Sequence, residues 1–428
     1  MKYLQAFLII GIVMFNASCN NTERNNSPNI VLIMADDLGY EGLSSNGSLS
    51  YNTPNLDQLA ADGMRFTHCY SQPVCTPTRV QIMTGRYNFR NYKQFGFLDL
   101  KEKTFGHYLQ EAGYVTSIAG KWQLGNGIEA PFMEGFDEYC VWQIYNNVGG
   151  KDVRGSRYAD PKLYKNGQLV TGNEGLYGPD LCTEFVMKFI EKNQSRPFFV
   201  YYPMILTHDP FVPTPNSEEW EEDPFKRDTS FFRDIVVYTD SIVGLIRNHI
   251  MELGLEDNTY LFFTGDNGTS RSIYTHTDRG LVRGGKSLTH EYGIHVPMIA
   301  YAPGRISKGQ VSDAMIDFTD ILPTLTDIAC IDLPERPILD GYSLLPIFHG
   351  ELGSVRDFIY GYYWTRGRDP LNVKEYVRNH KFKYYRSGKL YDPELDPEER
   401  NPLQGSEYEF VIEELKRNMN SVRLPDMK

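Results

Sequence analysis

Acidic side chains follow two apolar runs of the chain, and such runs are typical of strands buried on both faces of a parallel sheet. Asp36 and Asp37 come directly after the run NIVLIMA. Asp266 and Asn267 follow the run TYLFFT. In open α/β sheets the ligand crevice lies beyond the carboxyl ends of the strands, so we expect the two groups to meet there. Either group alone fits an ordinary turn, but three carboxylates at one sheet edge would repel one another without a hard divalent cation.

The segment from residue 75 to residue 86 carries a second and more specific pattern. It reads CTPTRVQIMTGR, with Cys75, Pro77 and Arg79 at alternate positions and Thr-Gly-Arg at its end. So many fixed positions make the pattern far more specific than a short glycine motif, and an ordinary proline turn is the weaker alternative. The helix that carries Pro77 would begin at Cys75, where free N–H groups and the helix dipole favour an anion.

This segment resembles the signature of the formylglycine-dependent sulfatases, which is Cys-x-Pro-x-Arg followed by Thr-Gly-Arg. The resemblance extends over nearly the whole mature chain, through the runs NIVLIMADDLG, TPNLDQLAADG, AGKWQLG, THDP, TGDNG, GGK and KLYD. It implies the alkaline phosphatase fold and an arylsulfatase-like enzyme that hydrolyses sulfate monoesters. It also implies that a formylglycine-generating maturation enzyme oxidises Cys75 to Cα-formylglycine.

The resemblance implies a role for each residue that matches a family motif. The ion would be one Ca²⁺, acting as a Lewis acid on the hydrated aldehyde and on a sulfate oxygen. The matching residues are Asp36, Asp37, Asp266, Asn267 and the residue made from Cys75 as metal ligands, Arg79 as the group that holds the hydrate and the metal carboxylates, Lys121 and Lys286 as clamps on sulfate oxygens, and His208 as the acid for the leaving oxygen or a further sulfate ligand.

An aldehyde suits this reaction because its hydrate carries two hydroxyl groups on one carbon. One hydroxyl attacks sulfur and expels the alcohol, and loss of the proton from the other re-forms the carbonyl and releases sulfate. A serine or a thiol would instead be left as a stable ester. The predicted cations and metal ion make the site locally positive, which suits an anionic ester even in an acidic chain.

One position departs from the family pattern. Where the family usually has Gly-Lys-Trp-His-Leu-Gly, this chain has Gln123 in place of the histidine. That histidine is a candidate base for sulfate release, whereas glutamine can donate a hydrogen bond to sulfate but accepts no proton at neutral pH. Either another group takes the proton or sulfate release is slower. The segment 291–297 also differs from the family, close to Lys286, which would reflect the shape of the substrate.

Predicted strands and helices alternate along most of the chain, which indicates an α/β core with a largely parallel sheet and right-handed crossovers. The expected fold is an alkaline phosphatase-like sandwich, with a large central sheet flanked by helices. Predicted strands are 29–35, 114–119, 197–202, 259–264 and 296–301, and predicted helices are 53–63, 104–112, 180–192, 231–253 and 319–329, the last interrupted by Pro323.

A smaller C-terminal α+β domain is predicted to follow this core. Short aromatic and basic strands are expected at 358–364, 374–378 and 382–386, separated by turn residues as in an antiparallel sheet. A final helix is expected at about 408–419. The predicted division is a catalytic domain at 29–353 and an appended domain at 354–428.

The N-terminus predicts export. Lys2 precedes the apolar run 4–15, which is too short to span a bilayer comfortably and is typical of a signal peptide. Small residues before Cys19 resemble a bacterial lipoprotein cleavage site, which would make a lipid at this cysteine the membrane anchor. Asn16 is atypical there, so a soluble periplasmic form stays an alternative. Residues 1–19 are the predicted leader and anchor, and 20–28 a polar tether.

Composition narrows the functions that the chain could have. Of its 428 residues, 41% are hydrophobic and 23% charged, which excludes disordered, collagen-like and coiled-coil classes. The formal net charge of −12 argues against nucleic acid as a partner, because phosphate neutralisation needs a basic face.

The leading hypothesis is an exported, calcium-dependent sulfatase that acts on sulfated carbohydrate. Two alternatives stay open: a phosphonate or phosphate ester hydrolase on the same scaffold, and a catalytically weak lipoprotein that binds sulfated glycans, which Gln123 motivates. Residues considered for sugar contact, all expected to be exposed, are Trp142, Arg157, His276 and Arg283.

Overall fold

A computed structural model describes residues 27–145, 147–148, 151–152, 154–364 and 372–423. The predicted leader and nearly all of the predicted tether lie outside the described residues. The strands are β1 Asn29–Ala35, β2 Met64–Tyr70, β3 Val115–Lys121, β4 Glu138–Trp142, β5 Asn147–Val148, β6 Lys151–Asp152, β7 Leu163–Lys165, β8 Gln168–Leu169, β9 Phe198–Pro203, β10 Thr259–Gly265, β11 Tyr274–Thr277, β12 Gly280–Arg283, β13 His295–Tyr301, β14 Gln310–Asp317, β15 Ile359–Trp364, β16 Val373–Arg378, β17 Lys383–Tyr385 and β18 Leu390–Tyr391.

Helices alternate with these strands through most of the chain. They are α1 Pro54–Asp62, α2 Cys75–Thr84, α3 Asn88–Asn91, α4 Phe105–Glu111, α5 Ala130–Met133, α6 Gly178–Asn193, α7 Phe231–Glu252, α8 Glu291–Ile294, α9 Ile321–Ile328, α10 Leu345–Phe348 and α11 Glu409–Ser421. None of the helices formed by the described residues is long and apolar enough to span a bilayer.

The main sheet has ten strands in the order β14-β2-β13-β10-β1-β9-β3-β4-β7-β8. Its centre, from β10 to β4, is parallel, whereas β13 runs antiparallel to both of its neighbours and β7 and β8 continue the other edge in antiparallel pairs. The predicted large, mostly parallel sheet is confirmed.

Alternation along β1 divides the core into two apolar layers, one on each face of the sheet. Ile30, Leu32 and Met34 belong to one layer, with side chains of α2, α4 and α9. The residues between them belong to the opposite layer, with side chains of α1, α6 and α7. A strand buried on both faces must be apolar throughout, which explains the uninterrupted run in the sequence.

The C-terminal sheet has four antiparallel strands in the order β15-β16-β17-β18. Helix α11 packs Leu415 and Met419 against Tyr360 and Val377 of this sheet. The predicted α+β unit with a short antiparallel sheet is confirmed, and the boundary after residue 353 stays a prediction.

One expected feature of a helix is wrong. Helix α9 runs without a break through Pro323, which was expected to interrupt it. Pro323 is the third residue of the helix, and N–H groups of the first turn have no intrahelical acceptor, so proline costs no hydrogen bond there.

A buried ion pair connects the C-terminal part of the chain to the main sheet. Arg356 precedes β15, and its Nε donates to Oδ2 of Asp320 at 2.9 Å. Asp320 follows β14 and is fully buried, and the side chain of Arg356 is 3% exposed. Removing one partner of such a pair leaves an uncompensated charge in a region without water.

We predict that Arg356→Ala lowers the free energy of unfolding by about 3–5 kcal/mol, because it leaves the Asp320 carboxylate buried without its cation. Urea unfolding followed by tryptophan fluorescence measures the change. Arg400→Ala is the matched control, because Arg400 pairs with Glu398 at an exposed position, and it is expected to change stability by less than about 1 kcal/mol. Equal effects of the two substitutions would contradict the prediction.

Candidate active site

The carboxylates predicted to bind a cation meet at one edge of the main sheet. The last residues of β1 and β10, Ala35 and Gly265, lie side by side in parallel register. Asp36 and Asp266 come next, and the Asp266 N–H donates to the Ala35 carbonyl at 2.9 Å. The Asp37 N–H donates to Oδ1 of Asp266 at 2.9 Å. All three acidic side chains are at most 1% exposed, so their charges are held together away from water.

Helix α2 brings the sequence signature to the same place. The helix begins at Cys75, which is buried. One turn later, Arg79 donates through Nη2 to Oδ2 of Asp266 at 2.9 Å and through Nη1 to the Lys121 carbonyl at 3.0 Å. The sulfur of Cys75 and one oxygen each of Asp36 and Asp266 lie within 4.8 Å of one another. The N-terminus of the signature helix therefore lies against the acidic strand ends.

Two lysines balance part of this negative charge. Lys121, the last residue of β3, donates to both carboxylate oxygens of Asp36 at 2.8 and 2.7 Å and is itself buried. Lys286 follows β12 and donates to Oδ2 of Asp37. Burial acts to lower the pKa of Lys286, but the Asp37 carboxylate raises it above the usual value, so the ammonium stays charged at neutral pH. Both cations lie inside the site.

His208 lies at the more open side of the site, in the loop after β9, with 16% of its side chain exposed. Its Nε2 is 2.9 Å from Nζ of Lys286 and 3.6 Å from Oδ2 of Asp37. Its Nδ1 is 2.8 Å from Oδ1 of Asp209. A carboxylate against one ring nitrogen fixes the ring and directs the other nitrogen into the site.

Burial and neighbouring charges set the protonation of the acidic cluster. Burial raises the pKa of Asp266 to about 7, and the nearby Asp36 carboxylate adds to the shift. Burial also acts to raise the pKa of Asp36, but the charges of Lys121 and His208 hold it far below its usual range. Burial raises the pKa of the Cys75 thiol, so the unmodified thiol is protonated at neutral pH and is a poor nucleophile.

The donor set fits a hard divalent cation. Nδ2 of Asn267 donates to Oδ1 of Asp37 at 2.9 Å, which leaves the buried Oδ1 of Asn267 without a hydrogen-bond partner among the described residues. Three carboxylates and this amide oxygen offer the oxygen ligands that Ca²⁺ prefers. The raised pKa of Asp266 reflects crowded negative charge, which a cation would relieve.

The family of the chain follows from its similarity to known proteins. Residues 28–331 match the family described as Sulfatase. The chain belongs to the sulfatase family. Residues 284–424 also match the family described as N-sulphoglucosamine sulphohydrolase, C-terminal.

Relatives of this sulfatase are similar over most of their length. Arylsulfatase A of Bos taurus is 33% identical over 420 residues, which cover 89% of this chain and 80% of that protein. N-acetylgalactosamine-6-sulfatase of Mus musculus is 32% identical over 359 residues, which cover 74% of this chain and 66% of that protein. The crystal structure of Ps i-CgsB in complex with k-i-k-neocarrahexaose has a TM-score of 0.77 at 26% identity and covers 92% of each chain. The protein is an enzyme of the sulfatase type, with the alkaline phosphatase fold.

Gln123 of this sulfatase lies two residues beyond Lys121, the last residue of β3. It is buried, and its Oε1 has no hydrogen-bond partner among the described residues. Its backbone N–H donates to the Gln143 carbonyl at 3.3 Å, and its φ of +55° lies in the left-handed region. The side chain forms no hydrogen bond with another predicted site residue in the described part of the chain, so its role stays a prediction.

Two residues that contact His208 were not predicted. Asp209 is its neighbour in the run THDP, so a carboxylate beside a candidate acid was the available signal. Tyr158 donates through its hydroxyl to the His208 carbonyl at 2.5 Å. It comes from a loop fifty residues earlier, and nothing in its local sequence indicates this contact.

The residues considered for sugar contact differ in how exposed they are. The expected exposure of Trp142 is wrong, because its indole is 1% exposed and lies at the end of β4 inside the core. Arg157 is half-buried against that indole. His276 and Arg283 are exposed on the β11–β12 hairpin.

We predict that Ca²⁺ raises the thermal unfolding temperature of the sulfatase relative to the same protein in chelator. A ligand at 100 times its Kd stabilises the folded state by about 2.7 kcal/mol. Asp37→Asn is expected to lose most of this shift, because it removes one anionic ligand. Asp278→Asn, at an exposed position on the β11–β12 hairpin, is the control that should keep it. An unchanged unfolding temperature in the wild-type protein would count against a metal site.

Proposed function

We propose that this sulfatase cleaves sulfate monoesters with Cα-formylglycine at position 75 and one Ca²⁺ at the acidic cluster. One observation carries the proposal. The signature helix begins at Cys75, and the sulfur of Cys75 lies within 4.8 Å of one oxygen each of Asp36 and Asp266. A cysteine that serves only to fill the core would be surrounded by apolar side chains, whereas three carboxylates and two lysines lie in this site. When bound, the metal supplies Lewis-acid polarisation, and the hydrated aldehyde supplies the nucleophilic hydroxyl.

The chain's own residues account for binding and for proton transfer to the leaving group. Lys121 and Lys286 bind sulfate oxygens, because their ammonium groups donate to Asp36 and Asp37 of the acidic cluster that adjoins residue 75. Arg79 holds Asp266 in place through the 2.9 Å contact. His208 gives a proton to the leaving oxygen from Nε2, and Asp209 stabilises the charged imidazole at Nδ1. Asp36 and Asp37 would hold the metal, and Lys121 and Lys286, which now donate to these carboxylates, would then donate to the ester.

We propose sulfated carbohydrate as the substrate class. Ps i-CgsB was crystallised with k-i-k-neocarrahexaose, and a mouse relative is named for a sulfated N-acetylgalactosamine, which supports a glycan here. The proposal includes maturation by a formylglycine-generating enzyme, and export to the periplasm or to a membrane through a lipid at Cys19. A phosphonate or phosphate ester hydrolase and a weak glycan-binding lipoprotein are the outcomes that the following experiments would reveal.

We predict that the tryptic peptide 66–79 from protein made in a maturation-competent host carries an aldehyde at position 75. Mass spectrometry identifies the modified residue, and Cys69 in the same peptide is the unmodified control. Cys75→Ala should abolish hydrolysis of 4-nitrophenyl sulfate while the thermal unfolding temperature changes little. Faster hydrolysis of a phosphonate monoester than of the aryl sulfate would favour the competing hydrolase.

We predict that Gln123→Ala lowers kcat/KM for 4-nitrophenyl sulfate about tenfold or more, because it removes a hydrogen bond to the charged sulfate group. Gln58→Ala, on the exposed side of α1, is the matched control and should have no effect.

Gln123→His tests the missing base: a higher kcat would show that proton removal limits sulfate release. Binding of sulfated glycan without any sulfate release, reversed by Gln123→His, would favour the weak-binding alternative. Wild-type activity in Gln123→Ala would show that the glutamine does not contact sulfate.

A further inference from the structure

The guanidinium of Arg157 contains a donor that no group in the described part of the chain accepts. Its Nη1 is enclosed and has no hydrogen-bond partner among the described residues. A buried donor that lacks a partner is costly, and the cost is higher for a charged group. Such a donor is explained when a ligand completes its hydrogen bonds.

The indole of Trp142 fixes the position of this guanidinium. Cζ of Arg157 lies 4.0 Å from the centre of the Trp142 ring, which is a close cation–π contact. The indole is itself held by the core, and its Nε1 donates to the Gly155 carbonyl at 3.3 Å. The ring orients the guanidinium but accepts none of its in-plane N–H bonds, so Nη1 keeps its donors for an anion.

Two connections place Arg157 beside the reaction site. Trp142 pairs in register with Lys121 on the neighbouring parallel strand. The indole that holds Arg157 and the lysine proposed to bind sulfate therefore lie at the same edge of the sheet. Tyr158, the next residue after Arg157, donates to the His208 carbonyl at 2.5 Å. Arg157 therefore lies between β3, which ends at Lys121, and the loop that carries His208.

The charge of Arg157 acts on the His208 side of the site. The hydrogen bond with His208 lowers the pKa of the Asp209 carboxyl, and the charges of Lys286 and Arg157 add to the shift. Asp209 is the carboxylate that could compete for the guanidinium, but its Oδ1 is 2.8 Å from Nδ1 of His208, and 61% of its side chain is exposed. With His208 as the proposed acid, the leaving alcohol, which is the sugar, would depart on this side.

We infer that Arg157 binds a second anionic group of the substrate, a sulfate or a carboxylate, on the sugar chain that carries the scissile ester. The inference rests on the proposed function, because His208 marks the sugar side only if it protonates the leaving oxygen. A guanidinium matches a sulfate or carboxylate with two parallel N–H donors, which suits it better than an ammonium to this task. The substrate class is then a polyanionic glycan, and Arg157 determines specificity for the second charge.

Binding to the inert Cys75→Ala protein tests the inference without turnover. Isothermal titration calorimetry compares glucosamine 2-N,6-O-disulfate with glucosamine 6-sulfate, and a uronate-containing sulfated disaccharide with its uronate methyl ester. The first pair tests an added sulfate and the second an added carboxylate. The member with the additional sulfate or carboxylate should bind about tenfold or more tightly in at least one pair, because it gains a charge-assisted hydrogen bond to the half-buried guanidinium.

Substitution of Arg157 in the same protein should remove that preference. Arg157→Gln is expected to reduce it to less than about twofold, and Arg157→Lys to restore part of it, because the charge returns without the fork. Arg305→Gln is the matched control, since Arg305 also lies over a ring, 5.8 Å from the centre of Tyr260, and it should leave the preference unchanged. A structural role alone would weaken both members of each pair equally.

Two results would overturn the inference: no preference in either pair with Arg157 present, or a preference that survives in Arg157→Gln. The first result does not depend on the folding of any Arg157 variant. Hydrolysis of 4-nitrophenyl sulfate by matured wild-type protein is measured in parallel. Its absence would reject the proposed function, whereas normal hydrolysis without an anion preference would reject only the role of Arg157.

Discussion

Mutual repulsion among three buried carboxylates is the constraint around which the site is built. Asp36, Asp37 and Asp266 are held at most 1% exposed at the ends of two neighbouring strands, where water screens them poorly. Each cationic side chain that reaches the cluster reduces this repulsion. The cluster remains short of positive charge even so, since burial and Asp36 together keep the pKa of Asp266 near 7. A divalent ion bound to the three carboxylates would relieve the remaining repulsion.

The parallel centre of the main sheet explains how residues far apart in the chain meet. Parallel neighbours end at the same edge, so the loops after β1, β10, β9 and β3 all open on one crevice. These loops carry, in that order, the aspartate pair, Asp266, His208 and the region of Gln123. Helix α2 packs on one face of the sheet and points its N-terminus into the crevice. Function therefore depends on strand register as much as on side-chain identity.

The site has two sides with different physical character. Toward the sheet, the three carboxylates, Arg79 and Lys121 are at most 1% exposed, and their charges compensate one another. Toward solvent, His208 and Asp209 border the path by which a sugar would enter and leave. Arg157 on its indole platform lies on this second side, which links the chemistry of the cluster to selection among glycans. A loop outside the family motifs thus contributes to the specificity that we propose.

The sequence alone determined the buried parallel strands, because uninterrupted apolar runs are local signals. The Cys-x-Pro-x-Arg pattern, also local, identified the family, and the resemblance predicted the metal and sulfate ligands and the chemistry. Pro323 was misjudged from sequence, since its cost depends on its position within the helix. Only the tertiary structure decided the burial of Trp142, the contact of Tyr158 with the His208 loop and the place of Nη1 of Arg157, which has no partner among the described residues. Each of these depends on which residues from distant segments exclude water and supply hydrogen-bond partners, and no local pattern encodes that.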